Sequence, residues 1–211
     1  MIDTTQTLEI GSQGALTITA QERNTAGTLK LDGGTISDQY GIQNGANVTI
    51  TGFGTINADL VSFGLNGAAM HATGGVLIIN GDLSSSVHSD IASNSTLSLQ
   101  STVDAGTTVR FLDSDSGTLE LGTATARQSF ETNGIIGNMN VSTNGAATNV
   151  LDLADVASSS ITSAMVANGN TIELFNGATM TDHFTLLSSV GTPAVHWASD
   201  GRSGSNIFLS V

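Results

Sequence analysis

The sequence predicts an all-β fold, a right-handed single-stranded parallel β-helix (β-solenoid), as one domain over residues 1–211. Three observations predict it. Short aliphatic–x–aliphatic triplets recur along the chain, residues that favour turns separate them, and helical periodicity is nearly absent. Because a triplet is too short to bury its own apolar face, it has to stack on neighbouring copies of the same unit.

Each triplet is predicted to be a short strand. Side chains alternate along a strand, so both aliphatic residues point to one face and the middle residue points to the other. The middle residues are mostly Thr, Glu, Lys, Ser, Arg and Asn, which suits a surface that faces water. The triplets are Leu8/Ile10, Leu16/Ile18, Leu29/Leu31, Val48/Ile50, Leu77/Ile79, Leu97/Leu99, Val109/Phe111, Leu119/Leu121, Met139/Val141, Ile172/Leu174, Phe184/Leu186 and Ile207/Leu209.

Two architectures fit many short strands separated by glycine and asparagine. Asn-Gly dipeptides such as Asn168-Gly169 and Asn176-Gly177 can make the hairpin turns of an antiparallel sandwich or barrel. The corners of a solenoid also need left-handed backbone, which Asn and Gly adopt easily. The solenoid is favoured because the strand runs, about three to five residues, are short for a sandwich. In addition, one unit repeats at Gly14–Ile18, Gly27–Leu31, Gly45–Ile50 and Gly117–Leu121.

A solenoid with three strands and their corners in each turn needs roughly 20–30 residues per coil, which gives about 7–10 coils. At about 4.8 Å between stacked strands, the rod is expected to be roughly 35–50 Å long. The pattern breaks within residues 150–170, where we expect an extra loop or a short helical excursion.

Composition excludes several classes of function. Five Lys and Arg stand against 18 Asp and Glu, a net charge of −13, and the basic residues lie far apart in sequence. Nucleic-acid binding needs clustered positive charge, so it is not expected. No apolar run is long enough to cross a membrane as a helix, so membrane insertion is not expected either.

The motifs that would carry chemistry are weak, and the sequence predicts that the protein is not an enzyme. The nearest carboxylate pairs are Asp113/Asp115 and Asp152/Asp155. A glycosidase or lyase needs such a pair, but neither has a lysine or arginine next to it in sequence. Asp113 and Asp115 are also the weak candidates for a Ca²⁺ site, although their loop departs from the twelve-residue calcium pattern. No catalytic residue and no cofactor is predicted. The four histidines form no metal-binding motif, and His183 and His196 are interpreted as turn or surface residues.

Several segments resemble the repeats of bacterial autotransporter passengers and related β-helical adhesins. Gly33–Ile36 and Val48–Asn57 are similar to the glycine-threonine repeats of these proteins, and Ile172–Phe175, Phe184–Leu187 and Ile207–Val211 are similar to their last coils. The resemblance implies a structural or adhesive protein that is secreted or held at the bacterial cell surface, such as an adhesin stalk or a subunit of a biofilm-matrix or surface fibre. The alternative is a carbohydrate-active β-helix, either a polysaccharide lyase or a glycoside hydrolase.

The ends of the chain suggest how such a protein associates. A solenoid exposes unpaired backbone groups at both ends, and neither terminal segment of this sequence has the pattern of a capping helix. We therefore expect end-to-end self-association, or pairing with neighbouring coils of a longer chain, through Leu8, Ile10, Ile207, Phe208 and Leu209. Host or matrix glycans are the other expected partners.

Overall fold

The computed structural model describes residues 5–21, 24–63, 69–84, 87–112, 116–144 and 148–211. It confirms the all-β class and the parallel solenoid, which makes about five turns. The strands are β1 Thr7–Gly11, β2 Ala15–Ile18, β3 Asn24–Asp38, β4 Ile42–Asn57, β5 Leu60–Phe63, β6 Ala69–Ile79, β7 Leu83–Ser84, β8 His88–Ile91, β9 Thr96–Leu99, β10 Thr108–Phe111, β11 Thr118–Leu121, β12 Ile135–Gly137, β13 Val141–Ser142, β14 Val150–Leu153, β15 Ser163–Ala167, β16 Thr171–Asn176, β17 Thr179–Leu186, β18 Ala194–Ser199 and β19 Ser205–Ser210. An α-helix, α1, spans Ala124–Asn133, and a 3-10 helix spans Ser158–Ser160.

The coils stack in parallel on three faces. The first face runs from β1 through the early parts of β3, β4 and β6 to β8, β10 and β12. The second face runs from β2 through the later parts of the same three strands to β9, β11 and β14. The third face is narrower and contains the start of β4, then β5, β7 and the bridge residue Val103.

The core consists of aliphatic columns in which each residue is the register partner of the next. On the second face, the column contains Leu16, Ile36, Ile56, Ile79, Leu99, Leu121 and Leu153, and every member after Leu16 is at most 1% exposed. Its members are 20 to 23 residues apart as far as Leu121, which is the length of one coil. A buried aliphatic side chain contributes about 1.5–3 kcal/mol, so the columns are the main source of stability.

The expected number of coils is wrong because the last third of the chain does not follow the solenoid path. From Leu121 to its partner Leu153 the chain takes 32 residues, and α1 lies within that step. After β14 the strands pair mainly in antiparallel fashion: β15 with β16, β16 with β17, and β18 with β19. Within residues 150–170, where an excursion was expected, the structure has β14, the 3-10 helix at Ser158–Ser160 and β15.

Helix α1 covers the end of the third face. Thr123 caps its first turn, since the Thr123 side-chain oxygen accepts a hydrogen bond of 3.1 Å from the backbone N–H of Ala126. Ala126 and Phe130, four positions apart, are fully buried. Ser129 exchanges 2.8 Å hydrogen bonds with the backbone of Val103, the last bridge residue of this face. The helix therefore replaces a further strand on the third face.

The turn between β15 and β16 shows why both architectures fitted the sequence. Asn168 and Gly169 have φ values of 52° and 74°, the left-handed pair that a tight hairpin needs. At this dipeptide the antiparallel alternative is correct.

Among the described residues, no helix is long and apolar enough to cross a membrane.

Candidate functional site

The first coil has an edge that no other described strand covers. Both β1 and β2 pair with β3 alone. Leu8 is 39% exposed, whereas its register partner Leu29 in the next coil is only 4% exposed. Leu16 and Ile18 on β2 are also only partly buried. The edge thus combines backbone groups that no described strand pairs with and aliphatic columns that are incompletely covered, which is what a further strand would bind. Ile10, the other residue predicted on this strand, is buried at 6% exposure.

The expectation that Ile207, Phe208 and Leu209 form an unpaired terminal strand is wrong. Their strand, β19, lies between β18 on one side and β13 and β14 on the other. Ile207 and Leu209 are fully buried, and Phe208 stacks on His196 with ring centroids 5.2 Å apart. The strand has no free edge over these residues because the chain folds back on itself as a hairpin after β17.

The opposite end of the core is closed by the antiparallel strands. On the first face, β17 follows β12, and on the second face, β19 follows β14. The outermost strands, β15 and β18, contact each other, and their residues Val166 and Val195 are buried. The two ends of the solenoid therefore differ: the aliphatic columns are incompletely covered at the first coil and buried at the last.

A second group of residues forms a mostly buried charged cluster, which we call the Arg127 cluster: Arg127, Glu131, Asp155 and Asp182. Arg127 Nε and Nη2 donate hydrogen bonds to the two carboxylate oxygens of Asp155, at 2.9 and 3.0 Å. Arg127 Nη1 contacts Glu131 Oε1 at 3.2 Å and also donates to Asp182. A single guanidinium thus joins α1, the turn after β14 and strand β17.

Burial sets the electrostatics of this cluster. The side chains of Arg127, Glu131 and Asp182 are 13%, 11% and 2% exposed. Burial, followed by the hydrogen bond and the charge of Asp182, raises the pKa of Glu131 from 4.5 to about 7, against the opposing effect of Arg127. Burial alone would lower the pKa of Arg127. Its bond to Asp155 and the three carboxylate charges raise it instead, so that the guanidinium stays charged.

An open cavity of about 530 Å³ adjoins the cluster. Asp182 forms part of its wall but is almost fully buried, and all three carboxylates are held by hydrogen bonds or charge contacts within the cluster. This geometry favours a structural network over a catalytic pair, which needs a carboxylate free to reach a substrate. The cavity is lined by Arg127, Gln128, Glu131, Asp155, Val156, Ala157, Ser160, Thr181 and Asp182.

The two members of the predicted pair Asp152/Asp155 have different partners. Asp155 binds Arg127, whereas Asp152 lies on β14 as the register partner of Glu120 on β11. Burial, then the charges of Glu120 and Asp200, raise the pKa of Asp152 to about 6, and Arg202 acts in the opposite direction. Ser98 donates a 2.6 Å hydrogen bond to Glu120 on the same face. Glu120 and Asp152 are therefore the carboxylate pair that the sequence did not identify.

The outer surface of the first face carries a charged row. Glu9 and Lys30, in adjacent coils, form an exposed ion pair at 3.0 Å. Further along, Asp90 contacts His71 Nδ1 at 3.2 Å and Arg110 Nη2 at 2.9 Å. These residues belong to one line of register partners, because the middle positions of successive strands stack directly.

The remaining candidates carry no site that can be described. Asp113 and Asp115 lie outside the described residues, so their Ca²⁺ site stays a prediction. Within the described ranges, no three His, Cys, Asp or Glu side chains come together in a way that could hold a metal ion.

Comparisons with models of protein families, with curated proteins and with solved structures find no match to this chain. The resemblance to autotransporter passengers therefore stays a prediction that rests on the repeats alone.

Proposed function

We propose that the protein is an extracellular structural or adhesive β-solenoid, as in the stalk of a bacterial surface adhesin. The observation that carries the proposal is the difference between the two ends of the core. One end is buried under antiparallel strands, and the other leaves β1, β2 and their aliphatic columns partly uncovered. A solenoid with one free edge is suited to joining a further unit there.

The partner proposed for this edge is a second copy of the chain. A copy cannot add its first coil to the far end and continue the columns, because β15 and β18 converge there. Two first coils can meet instead, and such an isologous contact uses the same surface on both copies and stops at a pair. We therefore propose a dimer as the elementary assembly, in place of the expected filament.

The surface composition supports a location outside the cell. The chain carries a net charge of −13, and its outward rows are filled with Thr, Ser, Asn and ion pairs. Such a surface keeps a rod hydrated and repels anionic lipid. Polar rows on a sheet surface also suit contact with glycans, the other proposed partners.

Replacing Leu8 by lysine is expected to prevent pairing, because it places a charge where an aliphatic contact has to be buried. Leu8→Lys should elute with the molar mass of one chain at every concentration, while the wild type shifts towards two chains as its concentration rises. Light scattering coupled to size-exclusion chromatography measures this mass directly.

Val76→Lys is the matched control for that experiment. Val76 lies on β6, in the middle of the solenoid, and is 46% exposed. A lysine at this position therefore adds the same charge as Leu8→Lys, but away from the edge. It should associate like the wild type. A wild type that stays monomeric, or a Leu8→Lys variant that pairs as well as Val76→Lys, would contradict pairing through the first coil.

Hydrolysis or cleavage of a polysaccharide is the second candidate function, and one observation favours it. Glu120 and Asp152 are register partners on adjacent strands, and the pKa of Asp152 is raised to about 6, as a general acid requires. If the pair is catalytic, the wild type should release reducing ends from bacterial or plant polysaccharides, and Glu120→Gln or Asp152→Asn should lower the rate at least about 100-fold. A wild type without activity on a polysaccharide panel would remove this candidate.

A further inference from the structure

The Arg127 cluster joins parts of the fold that are otherwise held by different contacts. Arg127 and Glu131 lie on α1, which packs on the end of the third face. Asp182 lies on β17, within the antiparallel strands that close the core. Asp155 belongs to the turn after β14, the last parallel strand of the second face. The cluster is therefore a charged contact between the solenoid and its closing strands.

The charges in this contact are not balanced. Three carboxylates surround one guanidinium, so the cluster carries a net charge of −2 when all of them are ionised. A proton on Glu131 reduces the imbalance to −1 and lets Glu131 donate a hydrogen bond to Asp182. In a mostly buried site, uncompensated like charges are costly because water cannot screen them.

We propose that the Arg127 cluster is a pH-sensitive latch, which holds β16 and β17 against α1 while Glu131 is protonated and loosens them when Glu131 ionises. The latch changes how readily the closing strands open. It does not change the stacking of the solenoid columns. It goes beyond the structural role proposed above and does not depend on pairing through the first coil.

The groups that face Glu131 fix the direction of the effect. Asp182 on β17 raises the pKa of Glu131, and Arg127 on α1 lowers it. Asp155 acts through its bonds to Arg127. His183 follows Asp182 on β17 but points to the opposite side of the strand. Glu120 on β11 accepts hydrogen bonds from Ser98 and Gln100.

The pH window follows from linkage. Because the pKa of Glu131 is about 7 in the folded protein and near its ordinary 4.5 when the strands open, the folded cluster binds the proton more tightly. Its stabilising contribution is full below about pH 4.5 and is lost as the pH rises to 7. The latch is therefore tight in mildly acidic solution and loose in mildly alkaline solution.

Hydrogen exchange measured by mass spectrometry tests the latch on the intact chain. Peptides covering residues 171–186 should open more readily at about pH 8.5 than at about pH 5.5, by a factor on the order of tenfold after correction for intrinsic exchange rates. Peptides from the parallel part of the second face, such as residues 96–99, should show no such change.

Glu131→Gln mimics the protonated side chain and should abolish the pH dependence while keeping the slow exchange seen at low pH. Glu173→Gln is the matched control, since Glu173 lies on β16 in the same hairpin and outside the cluster. It should keep the wild-type dependence. Asp182→Asn, which removes the charge facing Glu131, should also reduce the dependence and serves if Glu131→Gln does not fold.

Equal protection of residues 171–186 at both pH values in the wild type would overturn the proposal. So would a Glu131→Gln protein, or an Asp182→Asn protein used in its place, that keeps the full wild-type pH dependence. A Glu173→Gln protein that loses the dependence would overturn it as well, because the effect would then not belong to the cluster.

Discussion

Replacing Gly52 by alanine is expected to prevent the chain from reaching its folded state. Gly52 lies on β4 between register partners in the coils on either side, Leu31 and Ala72. Its φ is +110°, and an added Cβ would lie 1.8 Å from the carbonyl oxygen of Leu31. That oxygen belongs to the backbone of a stacked strand, so it cannot move without separating two coils. The cost should exceed about 4 kcal/mol, which only a few mechanisms produce.

The matched control is Gly11→Ala. Gly11 ends β1, and an added Cβ would have nothing within 4 Å. This variant should unfold within about 1 kcal/mol of the wild type. Urea denaturation followed by circular dichroism compares the two. A Gly52→Ala protein with the same midpoint as Gly11→Ala would mean that β3 and β4 do not stack as described.

Replacing Arg127 by methionine is expected to cause the largest loss of stability among the charged residues. Methionine keeps much of the apolar stem but removes the only cation among Glu131, Asp155 and Asp182. Breaking a buried ion pair by removing one partner costs about 3–5 kcal/mol, because the other charge stays buried without compensation. The free energy of unfolding from urea denaturation at neutral pH measures this cost.

Lys30→Met is the matched control for that substitution. Lys30 pairs with a single carboxylate, Glu9, and both side chains are about half exposed. Water screens such a pair, so its loss should leave the unfolding midpoint close to that of the wild type. If Arg127→Met is as stable as Lys30→Met, the cluster does not hold the closing strands to the solenoid.

Most of the core could be predicted from the sequence because aliphatic alternation fixes the face to which a side chain points. Leu97/Leu99 and Leu119/Leu121 are buried as predicted, and they are register partners in adjacent coils. The same alternation does not fix the direction of the partner strand. Ile172/Leu174 is a triplet of the same kind and is buried in antiparallel strands.

Helix α1 escaped prediction because it presents very little apolar surface. Only Ala126 and Phe130 are buried in it, and apart from the exposed Ala124 the rest of its sequence is polar. Two apolar residues four positions apart give too weak a periodicity to distinguish a helix from a loop. The capping residue Thr123 is one of many threonines, so it adds little as a signal.

The Arg127 cluster could not be predicted because its members are far apart in sequence. Asp155 lies 28 residues and Asp182 55 residues from Arg127. The reversal of the chain after β14 brings them together, and no local pattern encodes that reversal. Only Arg127 and Glu131, four positions apart on one helix, carried a local signal.

The two terminal segments expected to self-associate differ in how they pair within the described residues. Leu8 lies on an edge strand, whereas Ile207 and Leu209 lie on a strand with partners on both sides. Both segments have the same aliphatic alternation. Whether an edge is free depends on which strands fold back over it, and that is a property of the whole fold.

Negative-stain electron microscopy of the native protein over a range of concentrations tests the central claim most directly, that one end of the solenoid is open and the other is closed. Particles joined in pairs at one end should become common as the concentration rises, and no longer chains should form. Filaments that lengthen with concentration would show that both ends can join, and single particles at every concentration would show that neither does.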